Sequence, residues 1–563
     1  MDIPYDRCRQ AQEVMQSSNN TPVTQGWWVP GDLVPETGDA ALRAAIAGVN
    51  EPVCLLSIED QIAVGRGGTA TIGSAAPSGS EVYPLLAYAP PLRPEDLGDA
   101  GFKAAFDIRY AYIAGAMANG ITSVEMVEAM SGAGMIGFFG AAGLSLDRIE
   151  TAIDQLQQSA EDLPFGFNLI HSPNDPDLES ATVRLYLSRG IKRISAAAYM
   201  DLTLPLVYYR VSGIHKDASG TILCPNQVIA KVSRAEVARK FLSPPPEKFL
   251  TQLVERQLIT AEAAAMAASV PMADALTAEA DSGGHTDNRP AISLLPTMLA
   301  LRDELADAHR YPCPPYVGLG GGIATPDAAA AAFAMGAAYV LTGSINQACV
   351  ESGTSEAVRL MLAEADQAEV TMAPAADMFE MGVKVQVLKR GTLFPLRAAK
   401  LYDLYSNYDC FEDLPENQRT ILERDIFRCS FEAEWQQTAA FFAQRDPKQI
   451  ARAEKDPKHK MALVFRSYLG RSSAWAISGE ADRKIDYQIW CGPAMGAFNQ
   501  WAKGSFLEHP ENRKTADVAM NLLLGAAVAT RTNWLRSQNV SLPSSVTQFS
   551  PMTLADIQAV LET

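Results

Sequence analysis

Two short apolar runs, each ending in glycine, constrain the fold of this 563-residue chain more than any other feature. The first is residues 317–323, VGLGGGI, and the second is residues 339–344, YVLTGS, with an alanine-rich segment between them. Glycines at the ends of consecutive strands let backbone N–H groups approach a phosphate, and the helix that follows favours negative charge there. In a (β/α)8 barrel, the loops after strands seven and eight form the usual phosphate site. The two runs therefore predict a TIM barrel that holds a phosphorylated cofactor; a barrel that binds a sugar phosphate is the alternative.

Strand-like apolar runs alternate with helical segments from about residue 110 to residue 345. This alternation is typical of parallel β/α architecture, and eight strands are the number that closes a barrel. The predicted strands are Ala111–Met117, Met135–Gly140, Phe165–His171, Ile191–Tyr199, Gln227–Ser233, Ala273–Asp281, Tyr316–Gly322 and Ala337–Gly343.

Three segments make up the predicted domain organisation, and the second contains an insertion. Residues 1–85 form an N-terminal accessory region, and 86–355 form the α/β barrel. Three consecutive prolines at 244–246 open a helical insertion at about 242–271, because the connection there is longer than an ordinary crossover. Residues 356–563 are mostly helical and rich in tryptophan, which predicts a C-terminal domain or cap.

Charge and composition restrict the classes of partner. The net charge of −18 repels nucleic acid and anionic membranes. No apolar run reaches the roughly 20 residues that span a bilayer, and the first residues resemble no signal peptide, so we expect a cytoplasmic protein. The eight cysteines and six histidines are scattered, without the spacing of a metal site, and no metal is predicted.

One segment opposes the overall acidity. Residues 384–400 contain five bases and no acid. One interpretation is a solvated rim, and the other is a docking surface for an acidic carrier or a cofactor phosphate.

Three side chains are candidates for chemistry at the barrel mouth. His285 follows the sixth predicted strand in the sequence ADSGGH, where a histidine can transfer a proton near neutral pH. Asn168 ends the third strand and could hydrogen-bond the edge of a heteroaromatic ring through both amide groups, or else cap a turn. Lys231 lies in the fifth strand, either inside the mouth, where it suits an anionic reduced cofactor, or outside as an edge lysine.

These motifs together resemble those of a known enzyme group. The sequences GAMANG at 115–120, FGFN at 165–168, GGH at 283–285, GGI at 321–323 and GS at 343–344 resemble the FMN-dependent nitronate monooxygenase (2-nitropropane dioxygenase) superfamily. The longer strings at 279–290 and 372–380 resemble a narrower group, the PfaD-type trans-acting enoyl reductases of polyunsaturated fatty acid and polyketide synthases.

The resemblance implies an activity and a cofactor. It implies NADPH-dependent, FMN-mediated reduction of the 2,3 double bond of an enoyl thioester on an acyl carrier protein, with His285 as the catalytic acid. A nitronate monooxygenase-like flavin oxidase and a non-catalytic flavin-binding synthase subunit are the alternatives, and assembly into a homo-oligomer is left open. The implied FMN-binding residues are Gly115, Ala116, Met117, Asn168, Lys231, Gly283, Gly284, Gly321, Gly322, Gly343 and Ser344.

Overall fold

The computed structural model describes residues 24–78, 81–160, 163–171 and 176–562, which belong to two compact units. Of these residues, one unit contains those in the range 24–97 together with 523–562, and the other contains those in the range 98–522. The predicted segments 1–85, 86–355 and 356–563 remain a prediction as domains.

Eight parallel strands in the larger unit form a closed barrel in which each strand pairs with the next along the chain. Each of the eight predicted runs contains one of them, so the barrel prediction is confirmed. The strands are Tyr112–Ala114, Ile136–Phe139, Phe165–Ile170, Arg193–Ala197, Gln227–Val232, Ala275–Glu279, Tyr316–Gly320 and Val340–Thr342.

The helix Ala100–Phe106 closes the end of the barrel at which the strands begin. Its Phe102 is fully buried and stacks on Tyr339 at a ring distance of 4.3 Å. A Cβ atom on Gly318 would lie 2.5 Å from the Tyr339 ring, so glycine is required to make room for it. Because these aromatic side chains fill the end of the barrel at which the strands begin, a ligand would bind at the opposite end, where the strands terminate.

Helices follow the barrel strands and pack around them. Several begin with a side-chain cap, as at Thr325, whose hydroxyl accepts a hydrogen bond from the Ala328 N–H. Two further helices lie within the predicted insertion at 242–271. The helices from the first strand through the eighth are Val124–Gly132, Leu146–Ser159, Pro176–Ser188, Leu204–Val211, Ala235–Leu242, Glu247–Glu255, Ala261–Ala267, Ala291–His309, Pro326–Ala334 and Ser344–Gln347.

The chain after the barrel is mostly helical, as predicted, but it also contributes two strands. Val370–Pro374 and Lys384–Leu388 form an antiparallel sheet with Gly284–His285 from the loop after the sixth barrel strand. The α-helices are Glu356–Ala363, Phe394–Asn407, Glu416–Ile421, Phe431–Arg445, Pro447–Ala453, Pro457–Ser478, Ala494–Ala502, Thr515–Ser537, Ser544–Thr547 and Leu554–Glu562.

The smaller unit contains a six-stranded antiparallel sheet and the helix Asp39–Ala47. The strands are Gly26–Val29, Glu36–Thr37, Val53–Ile58, Gln61–Gly65, Thr69–Ile72 and Tyr83–Ala89. Across the described ranges of both units, no helix is long and apolar enough to cross a bilayer.

Candidate active site

The loops after the seventh and eighth strands form an open cradle. The two strands pair in parallel, Gly320 opposite Leu341, so the loops that follow lie side by side. Gly322 has a positive φ of 76°, and neither a Cβ atom on Gly322 nor one on Gly343 would meet any atom within 4 Å. A phosphate can approach backbone N–H groups closely where a glycine has open space beside it. The cradle therefore fits the phosphate of the implied cofactor.

Ser344 lies in this cradle and is oriented by a distant part of the chain. Its Oγ accepts a hydrogen bond of 3.1 Å from the Gly492 N–H. A hydroxyl that accepts in this way keeps its own O–H to donate. Ser344 is thus arranged to donate a hydrogen bond to an anionic oxygen.

The loop after the first strand is fixed by one hydroxyl. Thr122 Oγ1 accepts from the Met117 N–H at 2.8 Å and donates to the Gly115 carbonyl at 2.8 Å. A Cβ atom on Gly115 would lie 2.6 Å from the Leu341 side chain, so this glycine is also needed for packing. Ala116 packs against the apolar cluster inside the barrel. The predicted ring-contacting backbone at 115–117 is therefore held in one conformation.

Asn168 is buried in the third strand, two residues before the strand ends. Its Oδ1 accepts a hydrogen bond of 3.1 Å from the Ala142 N–H, so this group is engaged by the protein. One of the two amide groups is thus engaged by the protein, and a contact of Asn168 with a ring stays a prediction. Only the Nδ2 group remains as a donor for a ligand.

Lys231 lies inside the barrel rather than on its outer edge. Ile229 belongs to the apolar cluster inside the barrel. Side chains two residues apart in a strand point to the same face, so Lys231 points into the barrel as well. Its Nζ lies 2.7 Å from Glu279 Oε1, and the Ser282 hydroxyl donates to the same oxygen at 3.1 Å. Glu279 was not predicted, although its two-residue spacing from Thr277 and Ala275 could have placed it on the interior face.

The Gly283-Gly284-His285 loop packs against the C-terminal part of the larger unit. A Cβ atom on Gly283 would lie 2.9 Å from the Cys491 backbone nitrogen, so glycine is required for this contact. Burial raises the pKa of the Cys491 thiol to about 12, which leaves it a poor nucleophile at neutral pH. Gly283 therefore has a packing role in addition to any contact with a ligand.

Buried Gln386 holds the start of this loop. Its Nε2 donates to Asp281 Oδ1 and to the Ser282 carbonyl, both at 2.9 Å. Its Oε1 accepts from Asn288 Nδ2 at 3.0 Å. The loop that carries His285 is thus anchored at both sides by one glutamine.

His285 forms a pair with Asp377. Nε2 of the imidazole lies 3.2 Å from Asp377 Oδ1, and both side chains are about half exposed. Burial opposes ionisation of Asp377, but the hydrogen bond and charge of His285 outweigh it, and the pKa of the carboxyl is lowered. The carboxylate can therefore orient the imidazole at neutral pH. Asp377 was missed because the two residues are 92 positions apart and no sequence period connects them.

Comparisons with known proteins agree with the barrel fold. The pattern of the family described as nitronate monooxygenase matches residues 102–404, and that of the inserted helical domain of [acyl-carrier-protein] S-malonyltransferase matches 408–487. The enoyl reductase domain of MlnA from the macrolactin cluster of Bacillus amyloliquefaciens superposes with a TM-score of 0.74 at 38% identity, covering 79% of this chain and 99% of that one.

Two relatives of similar sequence are longer proteins. One is a polyunsaturated fatty acid synthase component of Thraustochytrium sp., which is 45% identical over 78% of this chain and 30% of the relative. The other is polyketide biosynthesis protein PksE of Bacillus subtilis, which is 46% identical over 77% of this chain and 56% of the relative. The chain therefore spans between about a third and about half of the length of these relatives.

Proposed function

Because this chain belongs to the nitronate monooxygenase family, and within it to the PfaD-type group, we propose that it is an enoyl reductase that acts with FMN and NADPH on a carrier-bound thioester. The observation that carries the proposal is the His285–Asp377 pair, on a loop beside the open, glycine-lined end of the barrel. The named similarity to an enoyl reductase domain supports the choice of reaction.

The residues at the open end suit a flavin mononucleotide. Gly322, Gly343 and Ser344 would hold its phosphate, because two of them border open space and the third has a hydroxyl oriented for donation. The backbone at 115–117 and the Asn168 Nδ2 group would line the ring. When bound, the flavin supplies hydride transfer from the nicotinamide to the β carbon of the substrate.

The protein must supply the proton that the α carbon receives. His285 is the proposed donor, because an imidazole can both give and regain a proton near neutral pH. Asp377 accepts a hydrogen bond from the ring and holds it in one orientation. Lys231 places positive charge inside the barrel, and Glu279 fixes its ammonium group.

The test is an anaerobic visible spectrum of the protein during successive additions. Flavin absorption should bleach with NADPH and return when a crotonyl thioester on a carrier protein is added. Return only on admission of air would favour an oxidase, and a colourless protein that cannot take up FMN would refute the flavin assignment.

A pair of histidine variants separates the proton donor from the rest of the site. His285→Ala should bleach normally with NADPH but recover slowly with the thioester. His215→Ala, on an exposed hairpin, is the matched control and should behave like the wild type. Unchanged recovery in His285→Ala would refute the role of His285 as the proton donor. A wild-type flavin that does not recover with the thioester would leave a non-catalytic flavin-binding protein as the alternative.

A further inference from the structure

The basic run 384–400 has two electrostatically different parts, which are the residues up to Arg390 and the helical residues Arg397 and Lys400. In the first part, Arg390 contacts Glu369 at 3.2 Å and Glu364 at 3.4 Å. The Lys389 N–H donates to the Glu369 carbonyl, which places the backbone of this lysine beside Glu369. Glu364 and Glu369 therefore offset the positive charge of Arg390.

The second part keeps an excess of positive charge. Arg397, Arg428 and Arg483 all contact the fully buried carboxylate of Asp486. Asp486 balances one of these three guanidinium groups, and Asp425, which already pairs with Arg424, also attracts Arg397 and Lys400. Lys484 is adjacent in sequence and exposed. Within the described ranges, neither it nor Lys400 has a carboxylate oxygen within 4 Å.

Exposed apolar side chains lie among these charges. Leu396 is 70% exposed, and Leu393 and Ile485 are partly exposed as well. The Leu393 N–H donates to the Ile485 carbonyl at 2.8 Å, so the two segments are in direct contact. Lys400 follows Leu396 by one helical turn and lies on the same side of the helix. We call Leu393, Leu396, Lys400, Lys484 and Ile485 the basic apolar patch.

The patch is connected to the proposed active site by one strand. Val385 pairs with His285 in the antiparallel sheet, and the strand ends at Leu388. At about 3.4 Å per residue, this end lies about 10 Å along the strand from Val385. The Thr392 hydroxyl then donates to the carbonyl groups of Ile485 and Tyr487 and joins the strand end to the patch.

We propose that the basic apolar patch docks the acyl carrier domain that delivers the enoyl thioester, an inference that rests on the proposed function. The partner it fits has an acidic helical face with a central apolar side chain. Carboxylates of that face would pair with Lys400 and Lys484, and the apolar side chain would cover Leu396. A strongly acidic protein otherwise repels such a partner, which makes a local basic surface necessary.

Direct binding of a carrier domain tests this inference. The probe is an isolated, fluorescently labelled carrier domain of a polyunsaturated fatty acid synthase loaded with a crotonyl group, titrated against the intact FMN-bound protein. The double variant Lys400→Glu/Lys484→Glu should raise the Kd by about tenfold or more. The control Lys216→Glu/Lys248→Glu makes the same charge change at exposed lysines of the barrel side and should raise the Kd less than about threefold.

A second variant and a second substrate separate docking from other effects. Leu396→Asn removes the apolar centre at an exposed position, so folding is unaffected and the Kd should rise severalfold. The kcat/KM for a crotonyl N-acetylcysteamine thioester should stay within twofold of the wild type in all variants. An equal rise of the Kd in the control pair, or no rise in either patch variant, would overturn the proposal. A wild type that binds the carrier domain tightly but reduces neither thioester would instead refute the proposed function.

Discussion

Substitution of Gly322 by alanine tests whether the open cradle binds a phosphate. The residue has a positive φ of 76°, and a Cβ atom added to it would have no neighbour within 4 Å. Gly190 provides a matched control, since its φ is 65° and its surroundings are equally open. It lies between the helix Pro176–Ser188 and the strand Arg193–Ala197, at the opposite end of the barrel.

The two substitutions should share one cost and differ in another. Alanine in the left-handed region costs about 1–2 kcal/mol at either position, because Cβ approaches the carbonyl oxygen. Only at Gly322 would the added methyl group also occupy the space that the FMN phosphate needs in order to reach the backbone. Loss of one hydrogen bond to a charged group is worth about 1.5–3 kcal/mol. We therefore expect Gly322→Ala to raise the Kd for FMN by about 10- to 150-fold.

The assay uses protein from which the flavin has been removed. Thermal unfolding of the FMN-free protein should show a similar loss of Tm in Gly322→Ala and Gly190→Ala. Titration with FMN, followed by quenching of its fluorescence, should show weaker binding only in Gly322→Ala. Equal FMN affinity in the two variants would refute the assignment of the cradle to the phosphate, because strain would then explain every effect.

Three further predictions concern charged side chains. Asp377→Asn should slow the thioester half-reaction about fivefold, which corresponds to ~1 kcal/mol. The effect is small because the pair with His285 is about half exposed. Stopped-flow traces should show an unchanged NADPH half-reaction. Asp486→Asn should lower the free energy of unfolding in urea by about 3 kcal/mol, since it leaves three partly buried guanidinium groups without the buried carboxylate that they share; an unchanged value would contradict this. The hydrogen bond from Arg234 lowers the pKa of Asp287 from 3.8 to about 2. The resulting stabilisation of about 2 kcal/mol is present above about pH 4 and is lost as the pH falls towards 2. The Tm difference between Asp287→Asn and the wild type should therefore be constant from about pH 8 to about pH 5 and shrink at about pH 3.

Much of the fold could be predicted because barrel strands are local features. Each strand is a short apolar run bounded by turn residues, and the eight runs occur in the order in which the strands pair. The glycines after the seventh and eighth strands could be placed at the same end for the same reason, since parallel neighbours end at one edge. The position of Lys231 inside the barrel follows from the two-residue period of a strand, once the strand itself is recognised.

The contacts that complete the site could not be read from any local pattern. Asp377, Gln386 and Gly492 come from the chain beyond the barrel, and they reach residues 281–285 and Ser344 only through tertiary packing. Such long separations along the chain remove every periodic signal between the partners. The hydrogen bond that engages the Asn168 oxygen has the same origin, because its donor is a backbone group from another loop.

The type and order of the barrel elements follow from the amino-acid sequence alone. The spacing of apolar residues and the positions of glycines are local features of the sequence, and they determine where each strand lies and where it ends. Which charges are balanced, in contrast, depends on the folded arrangement. The run 384–400 is uniformly basic in sequence, yet Arg390 forms ion pairs with acids from an earlier segment, while Lys400 lies one helical turn from exposed Leu396 and interacts with Asp425 only at longer range. Electrostatic pairing acts through space over a few ångströms, so its outcome depends on the packing of distant segments rather than on their order.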